Sequence, residues 1–193
     1  MKRLGRDFFG RDTAEVARDL LGKHLIRKLE GDFLRGKVVE AEAYYGEEDP
    51  PSHASGGKTP RSEVMWGKPG LVYVYLVYGI HLMFNVVTEP RGRPGAVLVR
   101  SVEPLEGLER MVDNRDRCET TELTNGPGKL TEAFGINREE NRLDLIESEV
   151  LWMEDDPKVN SGEIKSSGRI GVSEGKEEQL RFYLANSKFV SNS

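Results

Sequence analysis

Two alternating runs, Val38–Tyr44 (VVEAEAY) and Leu71–Tyr78 (LVYVYLVY), constrain this chain more than any other feature. A period of two places successive side chains on opposite faces of a strand. In the first run Glu40, Glu42 and Tyr44 share one face, and Val39, Ala41 and Ala43 share the other. In the second, Leu71, Tyr73, Tyr75 and Val77 oppose Val72, Val74, Leu76 and Tyr78, so neither face is polar. Such a strand is buried on both sides or meets a ligand on one. Gly79 then marks a tight turn, leaving Tyr78 at a hairpin tip between apolar Val77 and Ile80. An apolar tip that cannot be buried calls for a partner.

The rest of the chain reads around these runs. Asp12-Thr13-Ala14-Glu15 is a capping box, with Glu15 reaching back, for a helix that stops at Gly22. His24–Leu29 and Leu34–Tyr44 form a hairpin across Glu30-Gly31-Asp32. Residues 46–70, rich in Pro and Gly, are a loop whose length suggests function. Strands are expected at 71–78, 81–88 and 96–102. Helices are expected after Pro104 and from Asn125 to near Gly135. Further strands fall around Val150, at 169–172 and at 180–184, with a polar, mobile stretch at 154–168. These elements make an α+β fold: one domain over 1–193, a mainly antiparallel curved sheet with surrounding helices and a protruding hairpin.

Composition excludes several classes. No apolar run approaches a membrane span, and the N-terminus lacks a signal-peptide core. The single cysteine, Cys118, excludes an internal disulfide and points to a reducing cytoplasm. The net charge is −5, but residues 54–100 carry six basic groups against two acids. The tyrosine-rich run therefore lies in the basic part of an acidic chain, suited to phosphates or simply an unevenly charged surface. His24, His53 and His81 lack metal-site spacing, and neither a phosphate-cradling Gly loop nor a Gly-x-Ser-x-Gly elbow occurs.

Each constellation has a plain reading beside the functional one. Glu40, Glu42 and Tyr44 make an ordinary solvated face, or a general base beside an aromatic wall. Like charges two positions apart repel unless something compensates them. Tyr73 and Tyr75 are core aromatics, or rings that hold a flat ligand. Met65-Trp66 is a plug or a wall. Three readings stay open on these residues: an enzyme that holds a flat ligand such as a nucleobase against a general base, an inverting carbohydrate glycosidase using Glu40 and Glu42 about 6–7 Å apart, or a non-enzymatic binder of distorted duplexes.

The chain resembles the alkyladenine (3-methyladenine, methylpurine) DNA glycosylase family. The matching strings include Val39-Glu40-Ala41-Glu42-Ala43-Tyr44, Gly56-Gly57-Lys58-Thr59-Pro60-Arg61, Tyr73-Val74-Tyr75, Tyr78-Gly79 and Asn85. Arg3-Leu4-Gly5 with Phe8-Phe9, Pro69-Gly70, Arg100-Ser101-Val102-Glu103-Pro104-Leu105-Glu106-Gly107, Gly126-Pro127-Gly128-Lys129-Leu130, Gly168-Arg169-Ile170-Gly171-Val172 and Leu180-Arg181-Phe182-Tyr183 complete the set. The resemblance implies Glu42 as the general base, with Arg100 and the Ile170 carbonyl placing its water. It implies Tyr44 and Tyr75 as the walls gripping an extruded base, His53 at the base edge, and Asn85 crowding the 2-amino group of normal guanine. Tyr78 becomes the wedge that enters the minor groove. Lys58, Arg61 and Lys129 are phosphate contacts or surface cations. Also implied are double-stranded DNA with damaged purines as partner and hydrolysis without a Schiff-base lysine. No cofactor or metal is expected, and nothing in the sequence requires more than a monomer.

Overall fold

Strand β1 (His24–Leu29) and strand β2 (Asp32–Tyr44) form the expected antiparallel hairpin. The computed structural model describes residues 2–116, 119–156 and 163–191, so Cys118 and the centre of the 154–168 stretch lie outside the described residues. Strand β2, 13 residues long, is the spine of the sheet. One edge pairs with β5 (Ala96–Glu106); the other pairs first with β1 and then, from Glu40 onward, with β8 (Arg181–Leu184). The full order is β3 (Val72–Val77), β4 (His81–Val87), β5, β2, β1, β6 (Leu151–Glu154), with β7 (Ile164–Ser167) on β8. Every named strand pairing is antiparallel, and the sheet curls into half a barrel, in agreement with the expected α+β class.

The β2–β5 register slips on both sides of Glu40. A bulge bends its strand and re-aims the side chains around it. Here both Glu40 and Glu42 end up fully buried, as do Val39, Ala41 and Ala43 on the opposite side. The solvated-face reading of Glu40 and Glu42 is therefore wrong. Both faces of β2 are covered at this point, so both carboxylates require partners inside the protein.

Helix α1 (Arg6–Phe9) and helix α2 (Thr13–Asp19) pack Phe9, Val16 and Ala17 into the main core. Asp12 Oδ1 accepts from the Ala14 and Glu15 amides at 3.0 and 3.1 Å, as an N-cap should. The return bond expected of Glu15 is not what completes the helix start. Glu89 Oε1 takes the Thr13 amide at 2.9 Å. Helix α3 (Leu108–Arg115) follows β5, which runs on to Glu106 rather than ending at Val102. Helix α4 (Pro127–Ala133) sets Leu130 and Ala133 in the core, with Phe134 just beyond them. Gly36 permits this close packing: a Cβ there would lie 2.7 Å from Val102 Cγ2 and 2.9 Å from the Phe134 ring.

Three other expectations change. Residues 169–172 are not a strand but a bend, because Gly171 sits at φ +76° and cannot extend a ladder. Part of the stretch expected to be mobile is instead β7, which pairs with β8 through Ile164–Ser167. The strand expected around Val150 begins one residue later, at Leu151, where it can pair with Arg27. The 46–70 loop holds one short 3-10 turn, Glu63–Trp66, whose Val64 and Met65 are buried.

Candidate active site

Glu42 lies on β2, and restraints reach it from β5, from β2 itself and from the bend at 169–172. Its Oε2 accepts from Arg100 Nη1 of β5 at 3.1 Å and from the Tyr44 hydroxyl, two residues along β2, at 2.9 Å. Its Oε1 accepts from the Ile170 amide at 2.7 Å. A carboxylate offers about four lone-pair positions, so three are filled and one remains. Arg100 carries a raised pKa: burial opposes its charge, but Glu42 and Glu40 together outweigh that. The cation next to Glu42 is therefore permanent, and it faces Glu42 Oε2 directly.

Glu40 is bonded quite differently. Its Oε1 accepts from Arg100 Nε (2.9 Å), Arg181 Nε (2.7 Å) and Ser191 Oγ (2.8 Å). Its Oε2 accepts from the Ser191 amide (2.7 Å) and Ser101 Oγ (3.3 Å). Two carboxylates and two guanidiniums thus form one buried, charge-balanced cluster. Glu40 has no lone pair to spare for substrate chemistry, which removes the acid–base pair that an inverting glycosidase needs.

Tyr44 connects this cluster to a pocket lined by Tyr44, Pro51, His53, Met65, Tyr73, Tyr75, Asn85 and Ala96. The alternation of β3 sends Val72 and Val74 to the main core and Tyr73 and Tyr75 to this side. Burial, with the negative charge of Glu42 added, pushes the Tyr44 phenol well above its ordinary pKa, so it remains a donor. Burial raises Tyr75 as well and moves Tyr73 to about 12. The His53 ring meets the Tyr75 ring edge-on at 4.4 Å between centroids, and its Nδ1 shares a 2.8 Å hydrogen bond with the Tyr73 hydroxyl. Burial, then Arg61, lowers His53 to a pKa of about 4, so it is neutral at physiological pH. Asn85 Nδ2 donates to the Tyr73 carbonyl at 3.1 Å, which fixes its amide at the pocket wall. Met65 lines this pocket and is also buried in the small apolar cluster behind it, against which Trp66 packs.

At the far end of β3, Tyr78 and Ile80 are 88% and 73% exposed. Tyr78 has φ +52° and Gly79 φ +76°, and the turn closes with the Ile80 amide donating to the Val77 carbonyl at 3.2 Å. Gly79 adopts that conformation freely; a left-handed tyrosine costs about 1–2 kcal/mol. A strained aromatic held out in water is a functional signature.

The structure thus brings Glu42, Arg100, Ile170, Tyr44, His53, Tyr75 and Asn85 together, with Tyr78 at the end of the strand that carries Tyr75. The basic candidates divide. Arg61 lies over the Tyr75 ring (5.2 Å) and donates to the Leu76 carbonyl at 3.3 Å, buttressing the pocket. Lys58 is exposed, and Lys129 donates to Asn125 Oδ1 at 2.8 Å. Sequence reasoning gave no role to Arg181, Ser191, Arg169 or Asp49. The repulsion expected between Glu40 and Glu42 was the available signal, since it demanded cations from elsewhere. Among the described residues no cluster of His, Cys, Asp or Glu is arranged to hold a metal, and no described helix is long and apolar enough to cross a membrane.

Comparison with known proteins gives the family. The family model for methylpurine-DNA glycosylase matches residues 7–188. A protein of Desulfitobacterium hafniense (strain Y51) named "Putative 3-methyladenine DNA glycosylase" is 46% identical, covering 99% of each chain. Relatives with that name from Clostridium perfringens (strain SM101) and Salinibacter ruber are each 45% identical, covering 97–99% of the chains compared. Matched from end to end at this identity, the chain belongs to the methylpurine-DNA glycosylase family.

Proposed function

We propose that this protein turns damaged purines out of double-stranded DNA and hydrolyses their N-glycosidic bond with Glu42 as general base. Family membership makes it a DNA repair glycosylase, a hydrolase of N-glycosyl bonds. The residue roles are our reading. The observation that carries them is Glu42, fixed by Arg100, the Ile170 amide and Tyr44, with three of about four lone-pair positions filled and joined through Tyr44 to an aromatic pocket.

A base inside a duplex hides its glycosidic bond, so the nucleotide must leave the stack at a cost of a few kcal/mol. Tyr78 enters the minor groove and fills the vacated place, offsetting part of that cost. The extruded purine lies between Tyr44 and Tyr75, with His53 at its edge. Methylation at N3 or N7 makes the purine cationic, and electron-rich ring faces attract cations. A neutral His53 adds no repulsion. Asn85, immobilised against Tyr73, crowds the 2-amino group of normal guanine and so discriminates against undamaged DNA.

Water on the open lone pair of Glu42 attacks C1′ of the sugar, with the Ile170 carbonyl helping to place it. The C1′–N bond breaks, and its electron pair neutralises the cationic purine. Glu42 takes the water proton, and the product is an abasic site. Developing positive charge on the sugar is stabilised by the same carboxylate. No lysine lines the pocket among the described residues, which supports water rather than an amine as the nucleophile. The protein acts as a monomer.

Incubation with duplexes containing a methylated purine or hypoxanthine tests this directly. The expected result is an alkali-labile site at the cationic methylated purine, and at hypoxanthine only where a proton also reaches the neutral leaving base, with intact strands before alkali and untouched normal duplex. Strand cleavage without alkali would contradict simple hydrolysis, and no release from either lesion would contradict the substrate class.

A further inference from the structure

The roles proposed above leave Arg169 and Asp49 without a task, although both are buried beside the pocket. Arg169 makes a two-pronged ion pair with Asp49, Nη1 to Oδ2 at 2.7 Å and Nη2 to Oδ1 at 2.8 Å. Nη1 also donates to the Ala43 carbonyl at 3.0 Å, next to Tyr44. The guanidinium carbon stands 4.9 Å from the centre of the Tyr44 ring. Asp49 Oδ2 in turn accepts from the Tyr45 amide at 2.8 Å, holding the chain on the other side of Tyr44. The next residue after Arg169 is Ile170, whose amide donates to Glu42.

One buried guanidinium therefore backs the pocket wall and fixes the start of the bend that carries a donor to the general base. Its side chain has no exposed surface, so it is not a contact for DNA. Lysine cannot replace it, because an ammonium neither pairs two-pronged nor stacks on a ring. We propose that Arg169, locked by Asp49, is a positioning residue that sets both the Tyr44 ring and the Ile170 amide for the reaction at Glu42. The proposal rests on the roles assigned above to Glu42 and Tyr44.

The test is single-turnover base release by Arg169→Lys and Asp49→Asn with excess protein on a duplex carrying a cationic alkylated purine. Thermal unfolding and affinity for a duplex with a stable abasic analogue are measured in parallel. Release is expected to fall on the order of 10–100-fold in each variant. Affinity for the abasic duplex should stay within about twofold, since Arg169 meets no DNA. The loss should lie in the chemical step: the maximal single-turnover rate falls while the protein concentration that half-saturates it stays within about twofold of that for the unsubstituted protein. The double variant should release base no more slowly than the worse single one.

A loss of rate explained by the unfolded fraction would overturn the proposal, and so would full activity in both variants or an unchanged maximal rate beside a raised half-saturating concentration. If neither variant folds, Asp49→Glu decides, since it keeps the charge pair but displaces it by one methylene. Release by that variant should fall with its affinity for the abasic duplex kept, and release at the unsubstituted rate would overturn the proposal. Full base release by Glu42→Gln or Tyr44→Ala would instead sink the underlying site assignment, a separate outcome.

Discussion

Glu40 and Glu42 stand two residues apart on one strand, yet donors crowd the first and leave an opening on the second. That difference divides structural charge from chemical charge. Glu40→Gln would leave Arg100 and Arg181 facing too little negative charge in a buried cluster. Breaking such a cluster from one side typically costs about 3–5 kcal/mol, which denaturant unfolding would register. The sequence already showed the repulsion between these acids but not its remedy, because Arg181 and Ser191 come from more than 140 residues away. His53 gives a second prediction at this scale. Its folded pKa of about 4 lies below its ordinary value of 6.5, so the native state binds fewer protons between those values. Its contribution to stability is complete above pH 6.5 and shrinks progressively as the pH falls towards 4. The difference in unfolding free energy between the protein and His53→Gln should vary with pH inside that window and level off outside it. A constant difference would contradict a buried neutral imidazole.

At the scale of elements, β1 to β4 were legible because alternation, turn residues and length agreed. Strand β7 was not, since Ile164-Lys165-Ser166-Ser167 has one apolar residue and acquires its identity from β8 alone. The 169–172 segment misled in the opposite direction. Ile170 and Val172 imitate a strand, but ion pairing of Arg169 and a carboxylate at the Ile170 amide hold the chain there, not a ladder. Gly36 expresses a packing limit that no local pattern reveals. Gly36→Ala would push a methyl into Val102 and Phe134, and we expect a loss of about 1–3 kcal/mol in thermal or urea unfolding. The β3–β4 hairpin makes the complementary case. Tyr78→Ser removes an exposed ring that touches no core, so stability should be unchanged within about 0.5 kcal/mol. Duplex affinity and base release should both drop. Full activity in that variant would remove the wedge from the mechanism.

For the whole molecule, a net charge of −5 is set against local basic groups. A groove beside the hairpin is lined by Arg61 and Arg138 together with Pro60, Tyr75 and Asn141. Arg138 is exposed there, whereas Arg61 leans on Tyr75. Each phosphate neutralised contributes about −0.9 to the slope of log affinity against log salt. Arg138→Ala should lower the magnitude of that slope by about one while leaving the choice of lesion unchanged. An unaltered slope would move the phosphate path elsewhere. The α+β class and much of the pocket were readable from sequence because the chemistry lies on strands. The buried supports were not, because charge pairing across the fold leaves no periodic trace.

The central claim is that Glu42 starts hydrolysis of a purine gripped by Tyr44 and Tyr75. Single-turnover base release by Glu42→Gln, measured beside its affinity for the same lesion-bearing duplex, tests it most directly. We expect release to fall by at least about 10²–10⁴-fold with the duplex still bound. Release at the rate of the unsubstituted protein would contradict the account.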